Sequence, residues 1–160
     1  MAKQSAGILL YRRTHGRLEV FLVHPGGPFW AKKDLAAWSI PKGEFTPDEE
    51  PREAARREFE EETGIPLPAD ATFTPLTPVK QSGGKVIHAW AVDGDCDPAR
   101  IESNSFSMEW PPRSGKQQEF PEVDRAEWFP LEVAREKIHK GQAALLDELV
   151  RRLEAGGKRE

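Results

Sequence analysis

The hydrophobic and polar positions of the chain follow two different periods, and the change of period predicts where strands and helices lie. Residues 5–12 and 18–23 are mostly apolar and flank a Thr-His-Gly turn, which predicts an N-terminal hairpin of two strands. Residues 72–79 and 85–93 have the pattern of two further strands, and residues 127–129 that of the last one. We therefore expect several strands, spread over most of the chain.

The clearest predicted helix lies in the acidic middle of the chain. Thr46 and Glu49 have the spacing of a capping box, and Pro47 would take the first helical position, where its missing N–H costs nothing. Gly64 suits the left-handed residue that follows a helix, so the helix is predicted to end near Thr63.

Two segments have the composition of loops, and a third predicts C-terminal helices. Residues 25–37 are rich in Pro and Gly, and residues 95–121 are predicted to be mostly loop, with a short strand near Phe106. After Pro130 an apolar stripe with helical spacing is formed by Leu145, Leu146, Leu149, Val150 and Leu153. Because strands and helices alternate irregularly, the predicted fold class is α+β, a mixed β-sheet flanked by helices.

The composition is that of a globular domain. The chain has 160 residues, of which 38% are hydrophobic and 31% charged, with a net charge of −4. We expect a single domain over residues 1–155 and a frayed tail over residues 156–160.

Several classes of protein are disfavoured. The longest apolar stretch, residues 6–11, is far shorter than the ~20 residues of a membrane helix, and Arg12 and Arg13 follow it. We therefore predict no signal peptide, no membrane partner and a cytoplasmic location. Cys96 is the only cysteine, which excludes an internal disulfide, and an isoelectric point near 5.7 disfavours duplex DNA as a partner. The four histidines have no metal-ligand spacing and are predicted to be structural or exposed.

The acidic residues are concentrated in one stretch. Residues 43–65 hold nine acids and three bases, hence a charge of −6, which leaves +2 for the rest of a chain whose net charge is −4. At ~100° per residue, Glu58, Glu61 and Glu62 share one helix face, where like charges repel. Such carboxylates are the ligands that Mg²⁺ or Mn²⁺ prefers. The alternative is a solvated acidic face or interaction surface.

The same stretch resembles the signature of the Nudix hydrolases. That signature is Gly, five residues, Glu, seven residues, and then Arg-Glu-apolar-any-Glu-Glu-any-Gly-apolar. The chain matches it at Gly43, Glu49, Arg57, Glu58, Phe59, Glu61, Glu62, Gly64 and Ile65. The resemblance implies the family's α/β/α sandwich. The preceding residues 38–44 are similar to the segment found in members that act on dinucleoside polyphosphates and diphosphoinositol polyphosphates.

The resemblance also implies a reaction and a cofactor. Water would attack phosphorus in line and cleave a diphosphate linkage, with Mg²⁺ or Mn²⁺ bridging the phosphate oxygens. By resemblance, Glu61 and Glu62 would be direct metal ligands, and Glu58 a third ligand or the holder of metal-bound water. The carbonyl of Gly43 would complete the set.

Two further roles follow from the resemblance. Arg57 and Glu49 would form a pair that orients the catalytic loop. The general base is left open between a glutamate of the signature and a later loop glutamate, either Glu119 or Glu122, with Glu119 slightly preferred.

The substrate is less well determined. Candidate substrate-binding residues are Lys42, Trp110, Arg113 and Lys80. A small phosphorylated molecule is expected, with a dinucleoside polyphosphate favoured over ADP-ribose, a nucleotide sugar or a nucleoside triphosphate. A non-catalytic nucleotide-binding Nudix module is the alternative of another class, and a monomer and a homodimer are both open.

Overall fold

The two N-terminal apolar segments form long strands, as predicted, and the rest of a mixed sheet is built on them. The computed structural model describes residues 3–157. The strands are β1 (Gln4–Thr14), β2 (Arg17–Pro25), β3 (Lys42–Glu44), β4 (Thr74–Pro75), β5 (Val79–Lys80), β6 (Val86–Asp93), β7 (Ser105–Glu109), β8 (Gln117–Pro121) and β9 (Val123–Pro130). The order in the main sheet is β4-β6-β1-β2-β9, with β3 paired to β1 and β5 to β6. β1 and β6 are parallel.

The hairpin strands β1 and β2 pair near their turn and then separate. Tyr11 of β1 pairs with Val20 of β2, but Ala6 pairs with Gly43 of β3 instead. On the other side of the gap, Val23 and Ser39 exchange two backbone hydrogen bonds of 2.8 and 3.0 Å. Residues 38–44 are therefore wedged between the two strands, with their backbone groups paired.

Helices cover both faces of the sheet. They are α1 (Pro51–Thr63), α2 (Leu131–Lys137) and α3 (Ala143–Gly157). On one face α1 buries Ala54, Ala55 and Phe59 completely, against apolar side chains of β1 and β2. On the other face α3 buries the first part of the predicted stripe, including Leu145 and Leu149. This arrangement confirms the α/β/α sandwich.

Helix α1 ends where predicted but begins later. The predicted cap at Thr46 is wrong, because its carbonyl accepts from Glu49 N–H at 3.0 Å within a turn that precedes the helix. Glu50 caps α1 instead, since its carboxylate accepts from the backbone N–H groups of the second and third helical residues, at 3.3 and 3.1 Å. At the other end Gly64 adopts the predicted left-handed conformation, with φ +71°.

Two strand predictions need correction. The single strand predicted over residues 72–79 is two short strands, β4 and β5, because the prolines in that stretch donate no ladder hydrogen bonds. In the predicted loop 95–121, β7 confirms the strand near Phe106, but β8 was not foreseen. β7 and β8 form a two-stranded sheet that is separate from the main sheet. The residues of β8 are therefore mostly exposed, and they lack the alternation of apolar and polar positions that predicts a strand.

Two predictions concern the ends and surface of the chain. Helix α3 continues through Gly157, so the expected tail from 156 starts within it. The remainder of that tail, residues 158–160, lies outside the described residues. Within residues 3–157, no helix is long and apolar enough to cross a membrane.

Candidate active site

Gly43 and Glu58 lie in direct contact where β3 meets α1. A Cβ placed on Gly43 would lie only 2.0 Å from Oε2 of Glu58. A glycine is therefore required for the carboxylate to rest against this strand. The side chain of Glu58 is 13% exposed, and burial raises its pKa, while Arg57 lowers it and Glu61 raises it.

Glu62 lies one helical turn further and faces the residue before Gly43. Its Oε1 accepts from the backbone N–H of Lys42 at 3.2 Å. Burial raises the pKa of Glu62 to about 8, and the negative charges of Glu58 and Glu122 contribute to the increase. The ionised carboxylate is thus poorly stabilised by the protein alone.

Arg57 binds three carboxylates of the signature. Its Nε and Nη2 donate to the two oxygens of Glu49, both at 3.0 Å. Its Nη1 donates to Glu58 at 2.9 Å and to Glu61 at 3.1 Å. These contacts raise the pKa of Arg57. The bidentate pair with Glu49 connects the loop before α1 to the middle of the helix.

Of the two later glutamates, the structure brings Glu122 to this group. Glu122 directly precedes β9, and its backbone carbonyl accepts from Gly26 N–H at 2.9 Å. With Lys42 and Glu62 it lines a pocket of about 130 Å³. Burial raises its pKa, and so does the charge of Glu61. Glu119 is exposed on β8, where it pairs with Ser107.

We call Glu58, Glu61, Glu62 and Glu122 the acidic cluster. Within residues 3–157, no three His, Cys, Asp or Glu side chains form a ready-made metal cage. Instead, oxygens of the cluster are shared with Arg57 and with the backbone N–H of Lys42. The donor set nevertheless fits a hard divalent cation, because it consists of oxygens and its members repel one another.

A second pocket adjoins the acidic one. It has a volume of about 270 Å³ and shares Pro25, Ser39 and Lys42 with the acidic pocket. We call it the basic cleft. Its other lining residues are Trp30, Ala37, Gln81, Lys85, His139 and Gln142. None of these lining residues is acidic, so the charge of the surface reverses across Lys42, whose own pKa is lowered by burial.

Three predicted substrate-binding residues lie away from the cleft lining. Lys80 is exposed on β5, and Arg113 is exposed in the turn between β7 and β8. In the same turn the ring of Trp110 packs edge-on against Phe29, at 5.7 Å between centroids. Their roles in substrate binding stay predictions, whereas the fourth candidate, Lys42, lies at the junction of the two pockets.

Sequence reasoning missed three polar residues of the basic cleft: Gln81, His139 and Gln142. His139 and Gln142 belong to a short 3₁₀ turn between α2 and α3, and Gln81 follows β5. No spacing rule connects Gln81 with His139 and Gln142, because the tertiary fold alone brings them together. The sequence after Pro130 predicted only a helical region, so no local signal pointed to these residues as part of a site.

The geometry agrees with the family to which the chain is matched. The family model of the NUDIX domain matches residues 1–149, so the chain belongs to the NUDIX family. It is accordingly a pyrophosphohydrolase, an enzyme that cleaves diphosphate linkages, and divalent metal ions are the general cofactors of this family. A search of curated proteins found no match.

Solved structures share the fold. An Ap4A hydrolase from C. elegans, in a binary complex, has a TM-score of 0.67 at 23% identity, over 96% of this chain and 99% of that one. The NUDIX domain of NrtR from Shewanella oneidensis, complexed with ADP ribose, has a TM-score of 0.64 at 17% identity, over 96% and 89%. RenU, a Nudix hydrolase from M. smegmatis, has a TM-score of 0.58 at 25% identity, over 96% and 86%.

Proposed function

We propose that this chain is a Mg²⁺- or Mn²⁺-dependent hydrolase of nucleoside polyphosphate derivatives, with dinucleoside polyphosphates as favoured substrates. One observation carries the proposal: the acidic pocket, which Glu62 and Glu122 of the cluster line, shares Lys42 with the basic cleft. A cation held by the acids would lie beside a surface suited to phosphate. A polyphosphate needs both features next to each other.

The acidic cluster supplies the residues for the cation. Glu61 and Glu62 would be direct ligands, with Glu58 and the carbonyl of Gly43 completing the set. When bound, the cation supplies charge neutralisation at the phosphate oxygens and activation of water. Arg57 positions the cluster, because it bonds Glu58 and Glu61 while its pair with Glu49 holds the loop.

Glu122 is the loop residue that we propose as general base. Its side chain lines the acidic pocket, within reach of the charges of Glu61 and Glu62. A carboxylate at that position can take a proton from the attacking water. The alternative base is Glu58 of the signature. Glu119 is exposed on a strand outside the main sheet, and no contact connects it to the cluster within the described residues.

The preference for dinucleoside polyphosphates has two supports. Residues 38–44 resemble the segment of family members that act on such substrates, and Ser39 and Lys42 of this segment line both pockets. A structure with the same fold is an Ap4A hydrolase. Since another is complexed with ADP ribose, ADP-ribose belongs among the substrates tested.

The test is a hydrolysis screen with Mg²⁺ and with Mn²⁺ over dinucleoside polyphosphates, ADP-ribose, nucleotide sugars and nucleoside triphosphates, with the products identified by chromatography. We expect turnover that EDTA abolishes, highest for a dinucleoside polyphosphate. Tight nucleotide binding without turnover of any substrate would indicate a non-catalytic module instead.

The base is tested by a matched pair of variants. Glu122→Gln should lower kcat by about a hundredfold, within the usual range for a general base, whereas Glu119→Gln should stay near wild type. Equal losses in both variants, or a loss in Glu119→Gln alone, would contradict the assignment. If neither variant changes kcat, the base lies within the signature, and Glu58→Gln is the next variant to measure.

A further inference from the structure

The ring of His139 is held in one tautomer by the turn in which it lies. Its Nδ1 accepts from the backbone N–H of Gly141 at 3.0 Å, and Nε2 of Gln81 lies 3.0 Å from the same atom. A backbone N–H can only donate, so Nδ1 must be unprotonated. The neutral ring therefore carries its proton on Nε2.

The Nε2–H of His139 is free to bind a ligand. The ring lines the basic cleft. Within the described residues, Nε2 has no hydrogen-bond partner, and no buried side-chain nitrogen or oxygen is left unpaired. Nε2 is thus accessible to solvent rather than buried, on a ring that lines the cleft.

The turn that carries His139 is hydrogen-bonded to the segment 38–44, which lies between β1 and β2. His139 N–H donates to the carbonyl of Trp38 at 2.8 Å. The side chain of Gln142 accepts from Ile40 N–H at 3.1 Å and donates to Oγ of Ser39 at 3.0 Å. His139 therefore has a set position relative to Lys42, four residues along from Trp38, without any ligand present.

The chemistry of the cleft selects an anion. Lys42 and Lys85 line it together with His139, and none of its lining residues is acidic. Burial lowers the pKa of His139 and the positive charge of Lys42 lowers it further, because both disfavour the protonated ring. Two ammonium groups and an N–H donor match the oxygens of a phosphate group.

The size of the cleft is sufficient for a phosphate group. About 270 Å³ is slightly below the roughly 300–1,000 Å³ of sites that enclose a drug-sized ligand. An open cleft of this volume has room for a phosphate with part of its neighbouring group.

We propose that His139, with Lys42 and Lys85, binds a phosphate of the substrate beyond the hydrolysed linkage. The enzyme would thereby select polyphosphates over substrates whose second group is an uncharged sugar. This inference rests on the proposed function, because it assumes that the linkage is cleaved at the acidic cluster. His139 is a binding residue in this proposal and takes no part in the chemical step.

Two substitutions separate ligand binding from the structural role of the ring. His139→Asn keeps an acceptor for Gly141 N–H near the position of Nδ1 but removes the Nε2 donor. His139→Gln does the reverse, since its amide reaches the position of Nε2 and leaves Gly141 N–H without its partner. A purely structural histidine predicts that Asn is the better replacement, whereas a phosphate-binding histidine predicts that Gln is.

The kinetic test compares a dinucleoside polyphosphate with ADP-ribose. For His139→Asn we expect KM for the polyphosphate to rise about tenfold, the usual order for a lost hydrogen bond to a charged group. We expect kcat and KM for ADP-ribose to change less than about twofold, and His139→Gln to recover most of the affinity. An unchanged KM, or an equal rise for both substrates, would overturn the proposal.

A binding test separates this inference from the proposed function. Calorimetry with inorganic tripolyphosphate in EDTA should show binding that weakens in His139→Asn and Lys85→Ala. It should persist in Lys140→Ala, which removes an exposed charge beside His139 outside the cleft lining. This pattern without turnover of any substrate would overturn the proposed function alone. No binding to the wild type, or equal binding by all variants, would overturn the inference alone.

Discussion

The acidic cluster and the basic cleft lie side by side and differ in almost every physical property. The cluster gathers carboxylates whose pKa values are raised by burial and by one another, such as Glu58 and Glu62. The cleft has no acidic residue in its lining and includes the donors Lys85 and His139. The acidic pocket, which Glu62 and Glu122 of the cluster line, has just Pro25, Ser39 and Lys42 in common with the cleft.

The difference separates two tasks. Carboxylates that destabilise each other gain most from a cation, so the cluster suits the chemical step. Donors fixed by hydrogen bonds to the backbone suit the recognition of a phosphate that does not react. Changes in the cluster should therefore lower kcat, and changes in the cleft should raise KM.

The largest effect is expected from a ligand of the cluster. Glu62→Gln removes a charge needed for the cation and should lower kcat at least about a hundredfold, with the fold retained. The control is Glu53→Gln on the exposed first turn of α1, which should stay within about twofold of wild type. Steady-state kinetics with saturating Mn²⁺ measures both, and near-normal turnover of Glu62→Gln would remove the cluster from the mechanism.

A pair of glycine substitutions compares the two surfaces directly. In Gly43→Ala the new methyl would lie 2.0 Å from Oε2 of Glu58, so that carboxylate must move and kcat should fall at least tenfold. In Gly141→Ala the methyl would lie 2.9 Å from Cγ of Gln81, at the edge of the cleft. That side chain can shift, so we expect KM to rise about threefold with kcat unchanged.

The outcome of this pair is read from kcat and KM separately. If Gly43→Ala raised only KM, or if Gly141→Ala lowered only kcat, the division between the two surfaces would be wrong. Circular dichroism and thermal melting of both variants exclude a general loss of folding as the cause.

Metal binding should appear in thermal stability. A cation that binds only the folded chain stabilises it by mass action, so millimolar Mg²⁺ should raise Tm by a few degrees. Glu62→Gln should lose most of this increase, while Glu53→Gln should keep it. An increase of equal size in all three proteins would show that Mg²⁺ acts elsewhere on the chain, and NaCl at matched ionic strength serves as the control.

The smallest expected effect is a pH dependence at the cleft. Burial and then Lys42 lower the pKa of His139 in the folded chain from the ordinary 6.5. Below that value the unfolded chain binds a proton that the folded chain does not, so stability falls as the pH decreases. His139→Asn has no such group. The Tm of the wild type minus the Tm of the variant should therefore be lower, by a degree or two, at about pH 5.5 than at about pH 7.5.

A constant difference in Tm over that range would mean that the ring is protonated equally in both states. Nitrogen NMR of His139 gives a direct check, because the neutral ring should show a protonated Nε2 and an unprotonated Nδ1.

Local patterns predicted the parts of the site that are close in sequence. Glu58, Glu61 and Glu62 share one face of α1, as their spacing required, and Gly64 ends the helix as expected. The start of α1 was misjudged because Thr46 has the same local signals as a true cap. The turn after β3 uses its carbonyl instead, and Glu50 takes the capping role.

Local sequence patterns did not predict the parts of the site whose contacting residues are distant in sequence. The sequence slightly favoured Glu119 over Glu122 as the loop glutamate. The pairing of β2 with β9 instead brings Glu122 to the acidic pocket and leaves Glu119 on a separate hairpin. His139 looked structural because it has no ligand spacing, although the fold places it in the cleft.

By itself, the sequence determined the family, the reaction type and the candidate metal ligands, because these depend on one helix whose geometry has a fixed period. The tertiary structure alone decided which loop acid approaches the cluster and which polar residues form the cleft. Those positions depend on strand pairing and on the packing of α2 and α3. These contacts join residues that are distant in sequence, so no periodic pattern in the sequence indicates them. Reaction chemistry could therefore be predicted from adjacent residues, whereas substrate selection depends on residues that only folding brings together.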